Sequence, residues 1–259
     1  MNLATLSHLL RSTGLTLCFA GICGAADEAP LLKVVDFETG ELPQLGLQKA
    51  QDDSLSIVTT PVRAGKHAAK TLLRVTDPEV NSGQRAEFSD GKKMTKIEME
   101  KDYWYGLSIF VPEDFKPTSK SNAVLFQWHT QQGGPSPVLS IRVQGDEWLI
   151  NGNATEKRRT LARLPLVKGK WTDWVVHARW SAKTDGFWTI WKDDVEIVNE
   201  RDIITQYPEE LGPYAKFGQY HSVDEKAPQN IVFFDEYRVA GPSGSYEQVA
   251  PAGKSPTQP

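Results

Sequence analysis

The feature that most constrains this chain is the recurrence of short runs rich in Val, Ile, Phe, Tyr, Trp and Thr, each closed by turn residues. Leu31–Phe37, Leu55–Thr60, Ala68–Val75, Tyr103–Val111 and Ala123–His129 read as strands. So do Val138–Val143, Trp148–Asn151, Trp174–Trp180, Phe187–Trp191 and Ile231–Val239. No segment carries an apolar stripe of helical period; Pro208–Leu211 is predicted to form a single turn. Strands at this spacing predict an all-β fold, a two-sheet antiparallel sandwich or jelly roll. In such a sandwich one outer face can carry a concave groove.

The ends of the chain are of a different character. Residues 1–26 hold one positive charge, Arg11, and then the apolar run Gly14–Ala26. This pattern predicts a signal peptide and a secreted or periplasmic protein, because the run is too short to span a bilayer. Both cysteines, Cys18 and Cys23, fall inside it. The remaining chain therefore has no thiol nucleophile, no thiolate metal site and no disulfide. Residues 241–259 are rich in Pro, Gly, Ser and Ala and read as a flexible tail. Residues 27–240 then form one domain, with no internal repeat or linker.

A formal charge of -4 argues against nucleic acid as a partner. No second apolar stretch reaches membrane length, so no membrane partner is expected after the leader is removed, and a monomer is the default. The eight Trp lie between positions 104 and 191 and are either core or a carbohydrate platform. Strand register puts Trp128, Trp174 and Trp180 in the core and leaves Trp104 or Trp148 for stacking on sugar.

Polar residues on strand faces carry the chemistry. In Ala123–His129, alternation sets Val124, Phe126 and Trp128 on the core face and Leu125, Gln127 and His129 on the outer one. Gln127 and His129 side by side suit acid–base work on a bound polymer, and equally suit two solvated polar residues. In Tyr214–Tyr220, Lys216 and Tyr220 share a face; a nearby cation makes a phenol more acidic. An ordinary strand tyrosine is the other reading. Arg85 and Glu87 share a face, so Arg85 can pair with Glu87 or clamp a carboxylate. His177 and Arg179 read as surface or groove-edge residues. The sequence holds no phosphate-binding glycine loop, no nucleophile elbow and no zinc motif.

Taken in order, Val62–Ala68, Gln84–Glu87, Tyr103–Phe115, Phe126–His129, Gly169–Ser181, Asp185–Trp191 and Tyr214–Tyr220 resemble the heparin lyase I and glucuronan lyase group of polysaccharide lyases. The resemblance spans Phe37 to Val239. It implies a concanavalin-like β-jelly roll whose groove holds an acidic polysaccharide and cleaves it by β-elimination at a uronic acid. It matches His129 to the family's base and Tyr220 to its acid, a division that some lyases replace with one tyrosine in both roles. It matches Arg85, Gln127 and Lys216 to substrate binding. The compact domain has no room for the thumb-like insertion of the heparin enzymes, which favours an unsulfated glucuronan- or alginate-like chain. No cofactor is required for the chemistry. Some relatives hold a structural calcium ion near the last strand, which singles out Asp235 as a metal ligand. A lectin-like binding module and a glycoside hydrolase on the same fold are the alternatives; the hydrolase needs two facing carboxylates.

Overall fold

The computed structural model describes residue 1 and residues 30–251, except 92, 117–121, 133, 156 and 222–226. The leader predicted for residues 1–26 lies outside this range apart from Met1. The described strands, in chain order, begin with β1 (Lys33–Val35), β2 (Gly46–Lys49), β3 (Leu55–Val58), β4 (Ala68–Arg74) and β5 (Arg85–Asp90). Next come β6 (Asp102–Phe110), β7 (Ala123–His129), β8 (Leu139–Gln144), β9 (Glu147–Gly152) and β10 (Arg159–Pro165). The last are β11 (Trp171–Arg179), β12 (Gly186–Lys192), β13 (Val195–Ile203), β14 (Tyr214–Tyr220) and β15 (Gln229–Ala240). They form two antiparallel sheets. Sheet A runs β13-β12-β11-β6-β15-β4-β3, with β1 also on β15, and sheet B runs β10-β9-β8-β7-β14-β5-β2. This is the jelly-roll sandwich that the strand pattern predicts.

The ten predicted runs all contain strands. β10 and β13, on outer edges, break up their apolar residues with Arg159 and Arg163 and with Glu196, Glu200, Arg201 and Asp202 and so lack the apolar signal; β2 is only four residues long. Pro208–Leu211 forms no helical turn; Leu211 bridges Glu98 instead.

Inward residues of both sheets fill one core. Trp128, Trp148, Trp174, Trp180 and Trp188 are fully or almost fully enclosed in it. Trp148 is therefore not a sugar platform: it meets the ring of Trp174 edge-on at 5.1 Å. Trp104 stacks on His177 at 3.7 Å, on the outer face of sheet A. His177 and Arg179 lie there too, where Arg179 pairs with Asp102. None of the three stands at a groove edge of sheet B.

The tail prediction requires correction at its start. Residues 241–251 fold back on sheet A, and Tyr246–Val249 form a helical turn, α1. Tyr246 and Val249 pack with Val175, Trp104 and Trp191, because these rings leave apolar surface outside the main core. The approach is so close that a Cβ on Gly106 would lie 1.8 Å from the Val249 carbonyl oxygen.

Candidate active site

The outer face of sheet B carries an open cleft of ≈ 400 Å³ over β5, β14 and β7. Arg85, Gln127, His129, Lys216 and Tyr220 all line it, together with Gln48, Asn81, Ser82, Ser136, Pro137 and Tyr214. Register explains the convergence. Lys216 pairs with Gln127 across β14 and β7, Tyr214 with His129, and Tyr220 with Arg85 across β14 and β5.

Two irregularities set which residues face the cleft. The β7–β8 register shifts between Val124 and Phe126. Leu125 joins the core cluster and Val124 does not, the reverse of strict alternation. A bulge adds one residue and so exchanges the faces on one side of it. Gln127 and His129, beyond the bulge, keep the predicted face. On β14 the shift falls between Phe217 and Tyr220. Gly218 sits there at φ +139°, and a Cβ on it would lie 2.3 Å from the Ala86 carbonyl oxygen.

The cleft floor is organised by Glu87, a residue that strand alternation placed beside Arg85. Its side chain is 1% exposed. Oε1 accepts from Gln127 Nε2 at 2.5 Å, and Oε2 accepts from Lys216 Nζ at 2.5 Å and Arg85 Nη1 at 3.2 Å. A buried carboxylate is tolerated only when paired and hydrogen-bonded, and here three donors meet it. Lys216 is thus committed to Glu87 rather than to biasing Tyr220. Burial presses the Lys216 ammonium below its ordinary value, with Glu87 acting against that shift. The cation on Tyr220 is Arg85, whose guanidinium carbon lies 4.0 Å from the ring centroid. Arg85 also donates from Nη2 to the Asn81 carbonyl at 3.1 Å, while its Nε is buried with no partner among the described residues. Asn81 and Ser82 adopt left-handed φ of 51° and 63°, strain of a kind that concentrates at functional sites.

His129 Nδ1 lies 2.8 Å from the Thr130 carbonyl oxygen. That oxygen can only accept, so Nδ1 carries the hydrogen and Nε2 keeps its lone pair. Burial, joined by the charges of Lys216 and Arg85, holds the imidazole below its ordinary pKa, while the Thr130 contact and Glu87 oppose the shift. His129 is therefore neutral near pH 7, as a general base must be. Tyr214 packs against its ring at 5.2 Å, and burial keeps that phenol protonated. Tyr214 was legible in the sequence as the residue two before Lys216; Gln48 and Asn81 sit in short or irregular segments that give no signal.

Asp235 lies elsewhere, on β15 of sheet A opposite Ser108. Its carboxylate accepts backbone N–H groups from Arg63 at 2.9 Å, Ala64 at 3.3 Å and Glu236 at 2.8 Å. Calcium requires oxygen ligands. These surroundings supply hydrogens instead, and no group of three or more His, Cys, Asp or Glu among the described residues is placed to hold a metal. The residues around Asp235 do not fit a calcium site.

No protein of curated function matches the chain by sequence. Solved structures share its fold. The endo-β-1,4-glucuronan lyase of the fungus Trichoderma reesei superposes with a TM-score of 0.71 at 17% identity, over 86% of this chain and 99% of that one. Alginate lyase A1-II′, a member of polysaccharide lyase family 7, gives 0.57 at 13% identity, over 76% and 93%. The alginate lyase of Aplysia kurodai gives 0.57 at 12% identity, over 83% and 100%. The polysaccharide lyase family model matches residues 37–238, and with the cleft on sheet B this makes the chain a member of the polysaccharide lyase family and an enzyme of that kind.

Proposed function

We propose that the protein is an exported lyase that cleaves an unsulfated polyuronate, of the glucuronan or alginate kind, by β-elimination. The observation that carries this reading is the Glu87 cluster beside His129 and Tyr220. Arg85 and Lys216 bring two positive charges, and Glu87 returns one negative charge. The floor is left with a single net positive charge, which matches one uronate carboxylate better than a sulfated sugar. The leader-like residues 1–26 support export.

The chemistry follows from the groups present. The C5 hydrogen of a uronate is weakly acidic, so charge spreading onto the carboxylate must be stabilised as the C–H bond breaks. Arg85 and Gln127 supply preorganised donors for it. His129 Nε2 takes the C5 proton. The electron pair forms the C4–C5 double bond, the C4–O4 bond breaks, and the leaving oxygen takes the phenol proton of Tyr220. Glu87 holds Arg85, Gln127 and Lys216 in place throughout. A hydrolase would need two carboxylates facing the sugar; among the described residues the cleft offers one, Glu87, and it is buried and bonded to three donors of the floor.

The test is ultraviolet absorbance, because the unsaturated uronate at the new chain end absorbs where saturated sugars do not. Glucuronan, alginate, heparin and heparan sulfate form the panel. An absorbance rise on glucuronan or alginate and none on the sulfated chains is expected. Absence of a rise on every polyuronate overturns the reading.

A further inference from the structure

The inference rests on the polyuronate reading and extends it to a second sugar. One cross-strand row runs from Arg85 on β5 to Tyr220 on β14, Val124 on β7 and Arg142 on β8. Arg142 is 6% exposed, on the same face of its strand as Ser140. Its Nε donates to Ser140 Oγ at 2.7 Å and its Nη1 to Asn122 Oδ1 at 2.6 Å. Both partners are neutral. Among the described residues Arg142 makes no ion pair, and its third nitrogen, Nη2, has no partner and is not sealed from solvent. The other strongly buried arginine of this face, Arg85, has Glu87 as its counter-anion. A desolvated guanidinium without an anion is costly, and structures tolerate it where a ligand supplies the missing charge.

The position identifies the anion. Tyr220 lies between Arg85 and Arg142 in the row; the groups that act electrostatically on Arg142 are a second cation, Arg158, and then the Tyr220 phenol. The backbones of Arg85 and Arg142 are three strand spacings apart, about 14 Å. Each guanidinium is also tied to its own neighbours, Arg85 to Glu87 and Asn81 and Arg142 to Ser140 and Asn122, with no shared partner, which assigns the two arginines to different carboxylates. Tyr220 protonates the glycosidic oxygen, and the sugar bearing that oxygen lies on its far side from Arg85. The geometry points to Arg142 as a second carboxylate subsite, which binds the uronate that departs with the glycosidic oxygen. The groove would thereby select a chain with uronates on both sides of the cut over one with a neutral sugar in the departing position.

The experiment is a cycle between Arg142→Gln and a defined oligouronate whose departing sugar has its carboxylate reduced to an alcohol. On the unmodified oligouronate, Arg142→Gln is expected to raise KM about tenfold or more with kcat nearly unchanged. The reduced substrate should cost the parent enzyme a similar factor and cost Arg142→Gln little further. An unchanged KM, or two losses that multiply, overturns the subsite. Arg142→Lys keeps the charge without the planar fork and should recover part of the loss; it also serves as the variant in the cycle if Arg142→Gln does not fold. The parent enzyme on the unmodified substrate separates the two claims. A parent inactive on all polyuronates overturns the underlying reading, whereas an active parent with an indifferent Arg142→Gln overturns only the subsite.

Discussion

Glu87 touches the side chains of Arg85, Gln127 and Lys216 and needs no contact with substrate to matter. Removing its charge leaves two buried cations facing each other. Glu87→Gln is expected to lower stability by about 3 kcal/mol in urea unfolding, the usual result of orphaning a buried charge. Replacing Lys216 by Met in the same protein should restore more than half of that loss. No recovery in the double variant would show that Glu87 and Lys216 are not energetically coupled. Under the proposed mechanism His129 and Tyr220 carry the proton transfers, so His129→Ala and Tyr220→Phe should each reduce kcat about a hundredfold or more while oligouronate binding persists. The pH profile follows from the depressed imidazole. The base is active when neutral, so kcat/KM should stay high as pH falls to about 6.5 and decline only below that value. A limb above pH 7 would remove His129 as the base.

At the scale of the strand, alternation alone assigned Arg85, Glu87, Gln127, His129, Lys216 and Tyr220 to single faces. Gln127 and His129 keep theirs because they lie beyond the β7 bulge, and Lys216 and Tyr220 keep theirs because β14 stays in continuous register with β5 across its shift against β7. Alternation failed at Val124 and Leu125, where a bulge exchanges the faces. A bulge is set by pairing with both neighbouring strands, which the β7 sequence does not encode. On β14 the accommodating residue is Gly218, pressed between Lys216 and Tyr220 against the β5 backbone. Gly218→Ala must move β14 away from Ala86 and Glu87 or lose its φ of +139°. The expected outcome is a loss of about 2 kcal/mol or more in stability and of most activity, read by thermal melting and the absorbance assay. Normal activity in a stable variant would show that the β5–β14 spacing does not set the cleft.

Across the molecule, the two outer faces differ in kind. Sheet B presents the cleft; sheet A buries titratable groups under α1 and among stacked rings. His177 is pushed down to about 4, chiefly by burial beside Trp104. Its folded pKa lies below the unfolded one, so the folded state binds fewer protons between about pH 6.5 and 4, and stability falls as pH drops through that window. Asp235, pushed up to about 6 by burial, has the opposite sign: the folded state binds more protons, and stability rises over part of the same acid window. The parent should therefore show a muted pH response. His177→Gln, which keeps a neutral polar group, should gain up to about 3 kcal/mol at pH 4 relative to its own pH 7 value when compared with the parent. Parallel pH curves for the two proteins would show that His177 is not held neutral by the fold.

The sequence by itself determined the sandwich, because period-two alternation and turn residues are local properties that each strand carries alone. It also determined which polar side chains leave the sheet on the cleft side. Tertiary structure decided what those side chains do to one another. Glu87 meets Lys216 over 129 positions of chain and Gln127 over 40, and only sheet pairing brings them to hydrogen-bonding distance. The same pairing assigns Lys216 to Glu87 rather than Tyr220, buries Trp148, folds residues 241–251 onto sheet A and leaves Arg142 without an anion among the described residues. Each of these depends on strand order and register, which arise from contacts between distant segments and leave no mark on the residues nearby.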